Sequence, residues 1–201
     1  MEQKKKSELT RAKILEAAEE SFAAVGLAAA RVDDIAARAG VNKQLIYAHF
    51  SSKEGLYTAV LTRVYERLKR HQRIISQMPA EGLETVRGIV THYFDFLISD
   101  PHFVRLMLWE NLNGGRYLQP DGEDPFAGIR ALLRRAQEAG IIRPDLDVEE
   151  TVISLNMFCF SAFSNVYTLS GLLDREMYTE EALRARAAHI TDVFIKYICL
   201  A

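Results

Sequence analysis

Residues 41–50 read VNKQLIYAHF, a run that sets two amides, an ammonium group, a phenol and an imidazole among apolar anchors. On a helix over 43–50, Ile46 and Phe50 share one face with Val41 beneath them. Asn42, Lys43, Gln44, Leu45, Tyr47 and His49 are left to the other sides. Such groups suit the edges and backbone of a nucleic-acid duplex. The Gln44 amide can pair bidentately with an adenine edge, the Lys43 ammonium can reach guanine or a phosphate, and Leu45 can touch a thymine methyl. For Tyr47 and His49 a half-buried packing role is the other reading.

Nothing else in the chain is spaced for catalysis. His92, His102 and His189 form no metal pair, and Cys159 has no acid or base near it in sequence. Neither a glycine-rich phosphate loop nor a nucleophile elbow occurs. The expectation is therefore no enzyme, no metal and no cofactor. Cys159, in MFCFSAF, and Cys199 lack metal-ligand spacing and sit among apolar residues, so both are expected as buried reduced thiols.

Charge supports a polyanionic partner at one end only. Residues 1–76 hold 14 Lys or Arg against 9 Asp or Glu, whereas residues 77–201 hold 11 against 18. The basic excess is thus confined to the N-terminal third, where Lys4, Lys5 and Lys6 read either as a frayed tail that adds non-specific affinity or as a merely solvated one. No apolar run approaches the roughly 18 residues of a membrane span, and no signal core follows the N-terminus, so a cytoplasmic protein is expected.

The elements around 41–50 are expected to be helical throughout. Apolar residues recur at spacings of three and four along all 201 residues, and no alternating strand pattern persists. The expected fold is all-α, with about nine helices: a three-helix head, then a larger bundle. A first helix opens at Thr10 and stops at Gly26; others follow over 32–39 and 43–50; a long fourth, capped by Ser51 with Glu54 three residues on, runs to about 77. Further helices are expected over 81–99, 102–112, 125–139, 148–170 and 179–198. The segment TVISLNMFCFSAFSNVYTLS is apolar on nearly every face, so it and the final helix are expected to build a homodimer interface; a monomeric core is the alternative.

VDDIAARAGVNKQLIYAHF has the spacing of a helix-turn-helix. Small Ala36 lets two helices cross closely, Gly40 permits a left-handed turn, and Val41 with Ile46 fills the angle between them. The longer stretch TRAKILEAAEESFAAVGLAAARVDDIAARAGVNKQLIYAHFSSKEGLYTAV resembles the N-terminal domain of the TetR family of bacterial transcriptional regulators over about 50 contiguous residues. The remaining residues are similar to that family in helix count and layout.

That resemblance implies a DNA-binding domain over 1–53 and a ligand-binding and dimerisation domain over 54–201. It implies a homodimer on palindromic double-stranded operator DNA, repressing until a small-molecule effector enters the second domain. Tyr47, His49 and Lys53 match phosphate-contacting positions, and Asn42 falls at the same surface. Arg31 departs from the family, which has Thr or Ser at the start of the second helix; its cap is lost, but its guanidinium could itself reach a phosphate. Phe94, Trp109, Asn156, Phe160 and Phe163 offer aromatic walls and one amide for the effector, against the plainer reading of ordinary core aromatics. A helical ligand-binding or interaction module without DNA activity is the alternative, which a gel shift on promoter DNA separates.

Overall fold

The computed structural model describes residues 2–80, 82–118 and 124–199. Among these residues there are ten α-helices and no strand, only an isolated bridge between Ile142 and Cys199. In order they are α1 (Glu2–Ala29), α2 (Val32–Ala39), α3 (Lys43–Phe50), α4 (Lys53–Ser76), α5 (Gly82–Ser99), α6 (Pro101–Leu112), α7 (Ala127–Glu138), α8 (Val148–Ser164), α9 (Val166–Leu173) and α10 (Glu180–Ile198). The chain divides into two compact units, Met1–Glu66 with His102–Gly122, and Arg67–Pro101 with Glu123–Ala201.

In the first unit, Ile14, Ala18 and Phe22 form one fully buried stripe of α1. Phe22 meets the edge of Tyr57 at 5.0 Å between ring centres, and Tyr57 meets Tyr117 at 5.4 Å. Each such ring withdrawn from water contributes about 1.5–3 kcal/mol. Two carboxylates lie inside this unit with partners to hold them. Glu19 faces His102 at 3.3 Å and Arg63 at 3.8 Å, and Glu110 accepts the backbone N–H groups of Tyr117 and Leu118 at 2.9 and 3.1 Å.

In the second unit α5 packs on α8 and α10, and α7 packs on α8. Phe94 of α5 and Phe163 of α8 stack with centres 5.3 Å apart, the Tyr93 hydroxyl donates to the Asn156 amide oxygen, and Asp95 pairs with Arg184 at 2.5 Å. Asp147 caps α8 by accepting from Glu149 and Glu150 N–H, and Thr179 caps α10 by accepting from Ala182 N–H.

Several helix ends differ from expectation, each for a local reason. α1 starts at Glu2, and Thr10 is no cap: its hydroxyl donates to the Lys6 carbonyl inside the helix. Lys5 and Lys6 are therefore helical rather than frayed, and the Lys4 side chain lies outside the described residues. Ser52, not Ser51, caps α4 by accepting from Gly55 N–H at 2.9 Å, while Ser51 takes a left-handed φ of 64° to end α3. The helix expected over 148–170 is two helices bent by 64° at Asn165, which gives ten helices where nine were expected. Serines and an asparagine there compete for backbone hydrogen bonds, and the bend returns Val166 to the core. Among the described residues no single helix is long and apolar enough to cross a membrane.

Cys159 is buried, and burial pushes its thiol up to about 12, so it is held protonated and unreactive. Cys199 is only partly buried, and both cysteines are unbridged.

Candidate nucleic-acid interface

Three local features fix the presentation of α3. Gly40 ends α2 at φ 66°, ψ 35°, and a Cβ there would meet nothing within 4 Å, so the left-handed torsion rather than space selects glycine. Gly40 N–H donates to the Ala37 carbonyl at 3.2 Å and Val41 N–H to that of Ala36 at 3.0 Å. Asn42 then caps α3, its side-chain oxygen accepting Leu45 N–H at 2.8 Å. Ile46 and Phe50 are buried beneath, as are Ile35 and Ala36 of the adjoining α2.

With that anchoring, Lys43, Gln44, Tyr47 and Ala48 are exposed, Leu45 and His49 are half-buried, and Asn42 is exposed beside them. The surface is therefore a short strip of polar groups around a small residue. Ala48 was not picked out in the sequence, although it lies four residues after Gln44 on the same exposed helical face.

Two of the cations expected at this surface, Lys43 and Lys53, are engaged within the head. Lys43 Nζ pairs with Asp33 at 2.9 Å, and that hydrogen bond with its charge holds the ammonium above its ordinary pKa. Lys53, half-buried, donates from Nζ to the carbonyls of Ala28 and Ala30 at 3.3 and 3.1 Å, closing off the end of α1. Arg31 precedes α2 without capping it through its side chain and is exposed. Sequence reasoning missed two further arginines: Arg11, whose guanidinium lies 5.1 Å from the Phe50 ring centre, and Arg38, bound to Glu20 at 2.5 Å. The partners of Lys43, Lys53, Arg11 and Arg38 lie at least ten residues away in sequence, where periodicity carries no signal.

The residues expected around an effector are divided. Phe94 and Phe163 touch; Asn156 is half-buried with its oxygen taken by Tyr93; Phe160 is half-buried; all four belong to the second unit. Trp109 belongs to the first unit, where its indole N–H donates to the Ala23 carbonyl at 3.3 Å.

Comparison with known proteins decides the family. Residues 14–60 match the family described as bacterial regulatory proteins, tetR family, and residues 82–194 match the tetracyclin repressor-like C-terminal domain. The chain belongs to the TetR family. It is 25% identical to the transcriptional repressor NicS of Pseudomonas putida, covering 93% of this chain and 91% of that one. It is 34% identical to the transcriptional repressor SCO4008 of Streptomyces coelicolor, over 67% of this chain and 68% of the other. Among solved structures, SCO4942 of Streptomyces coelicolor superposes with a TM-score of 0.71 at 28% identity, covering 94% of this chain and 98% of that one. TetR proteins are ligand-responsive DNA-binding regulators of transcription, and the strip on α3 belongs to the domain through which they bind DNA.

Proposed function

We propose that this chain is a repressor that binds a palindromic operator as a homodimer and leaves it when a small molecule binds. DNA recognition falls to residues 1–53, and effector binding and dimerisation to residues 54–201. The observation that carries the reading is the exposed strip of α3, with Gln44 directed outward from a helix that is anchored by Ile46 and Phe50 and capped by Asn42. Gln44 and Lys43 read base edges, with Leu45 at a thymine methyl; Asn42, Tyr47 and His49 hold the backbone on either side. Arg31 and Lys53 lie at the starts of α2 and α4, where a helix N-terminus adds to the attraction for phosphate. The names of NicS and SCO4008 favour repression. A regulator of this kind works in the cytoplasm, beside the chromosome.

The dimer reading rests on apolar side chains left uncovered on α8 to α10. Ile153 and Met157 of α8, Tyr167 and Leu172 of α9, and Tyr197 of α10 are all at least half exposed. Phe163 and Phe194 are buried within the subunit at 4% and 3% exposure, so neither belongs to that uncovered face. Phe94, Phe160 and Phe163, with Asn156 on the same helix as the last two, are the effector contacts proposed within the second unit.

Selection of bound sequences from randomised duplex DNA, followed by a gel shift on the selected site, tests the reading. The expected outcome is an inverted repeat bound by two chains. Retention of no sequence above background would favour a helical ligand-binding module without DNA activity.

A further inference from the structure

Within the second unit, the latter part of α4 and the start of α7 border a cleft of about 360 Å³, at the small end of ligand sites. Lys69, Gln72, Arg73 and Ser76 line it from α4, and Asp124 and Gly128 from the other side. Gly128 allows the two helices to meet at backbone distance: a Cβ there would lie 2.9 Å from the Gln72 carbonyl carbon. The crossing seals the Gln72 side chain at 3% exposure, and among the described residues neither its Nε2 nor its Oε1 has a hydrogen-bond partner. A buried amide unsatisfied at both atoms is rare in folded proteins and calls for a partner that accepts and donates side by side.

Charge narrows the chemistry of that partner. Lys69, itself 6% exposed, and Arg73 bring two cations to the wall. Asp124 is the acid among the described lining residues, and its carboxylate accepts Phe126 N–H at 2.9 Å and pairs with Arg130. The first turn of α7, a helix of 12 residues, contains no acid, and Phe126 provides no side-chain cap, so the positive end of the helix faces the same side. An anionic acceptor is favoured here, with a neutral donor beside it.

We propose that this cleft binds a small carboxylate that carries a hydroxyl or amino group on the neighbouring carbon. The carboxylate accepts from Gln72 Nε2 in the field of Lys69 and Arg73, and the adjacent group donates to Gln72 Oε1. The site shares no residue with the Phe94 and Phe163 cluster. Binding here stands independently of DNA; only its consequence at an operator rests on the proposed effector-released repressor.

Calorimetric titration of the full chain without DNA tests the proposal, with the two enantiomers of mandelate as probes. At least one enantiomer should bind about tenfold more tightly than phenylacetate, which lacks the hydroxyl, and than 1-phenylethane-1,2-diol, which lacks the charge; that is the size of one hydrogen bond involving an ion. Arg73→Ala, at an exposed position, and Gln72→Leu should each weaken binding about tenfold. Gln72→Leu should also melt no lower than the parent when unliganded, because it removes the unsatisfied amide. The proposal is overturned if neither enantiomer binds, if the diol or inorganic phosphate binds as well as mandelate, or if both variants bind like the parent. Mandelate binding that leaves operator affinity unchanged supports the site and counts only against release by an effector.

Discussion

The ring of Trp109 lies 2.8 Å from the point where a Cβ on Gly26 would sit, and the backbone of Gly26 has φ 73° and ψ 173°. Both the torsion and the space reserve this position for glycine, since that corner of backbone conformation is essentially closed to other residues. Gly26→Ala should therefore destabilise the protein by about 2–5 kcal/mol, combining backbone strain with overpacking. Urea denaturation measures it. A variant as stable as the parent would mean that the indole does not rest on α1.

If α3 reads DNA as proposed, the Lys43–Asp33 pair should set the balance between non-specific and specific binding. Asp33 places a carboxylate 2.9 Å from the ammonium proposed to reach a base edge. Asp33→Asn should strengthen binding to random DNA more than to operator DNA, narrowing the ratio between them. Gln44→Ala should narrow that ratio by weakening the operator alone, by about 1–3 kcal/mol. Filter binding on both DNAs decides, and an operator bound equally well by Gln44→Ala would refute the assigned orientation of α3.

Lys53 has two roles that separate experimentally. Its hydrogen bonds to Ala28 and Ala30 contribute about 1 kcal/mol to the DNA-free head, so Lys53→Ala should lower the melting temperature before DNA enters the question. If the same ammonium also meets phosphate in each of two chains, the slope of log affinity against log salt should flatten by about 2. Loss of stability with an unchanged slope would leave Lys53 as a lock on the end of α1 and nothing more.

Met157 and Phe163 lie on one helix but should answer differently to a charge. Met157 is 63% exposed and Phe163 is 4% exposed against Phe94. Met157→Glu should yield a folded monomer by sedimentation, with native circular dichroism. Phe163→Glu should lose the fold, because it buries a carboxylate with no partner. A Met157→Glu protein that stays dimeric at micromolar concentration would move the interface elsewhere.

His71 should impose an acid limit on stability. Burial lowers its pKa, and its Nε2 contacts the His92 carbonyl beside the Phe96 ring. The unfolded chain therefore takes up the proton first, so the contribution of neutral His71 is full above about pH 6.5 and is lost as pH falls below it. His71→Gln should flatten that fall in thermal melts between pH 7 and pH 5.

The head was largely legible because its signals are local. Gly40 needs a left-handed torsion, Ile35, Ile46 and Phe50 repeat at helical spacing, and the anchored face dictates the outward one. The contacts of the lysines were not legible, since Lys43 meets the Asp33 carboxylate and Lys53 the Ala28 carbonyl only once α1 to α4 have packed. Nor could adjacent hydroxyls be ranked: Ser51 and Ser52 are equivalent caps on paper, and the turn chooses the second. The apolar run through Asn165 hid a bend because hydrophobicity records burial, not direction. The effector residues were chosen by type alone, which could not distinguish Trp109, held by α1, from Phe94 and Phe163, held by each other.

Glu110 gives the loop after α6 an unusual response to proteolysis. Its carboxylate holds the Tyr117 N–H at 2.9 Å, and the residue just before, Arg116, is exposed. Trypsin cutting after Arg116 would convert that amide into a free α-ammonium directly opposite a carboxylate that is 1% exposed. The cut would exchange a neutral donor for a charged one in a site already shaped to receive it, so the nicked chain gains an ion pair where it loses a peptide bond. A protein broken at this point should hold its new end in place.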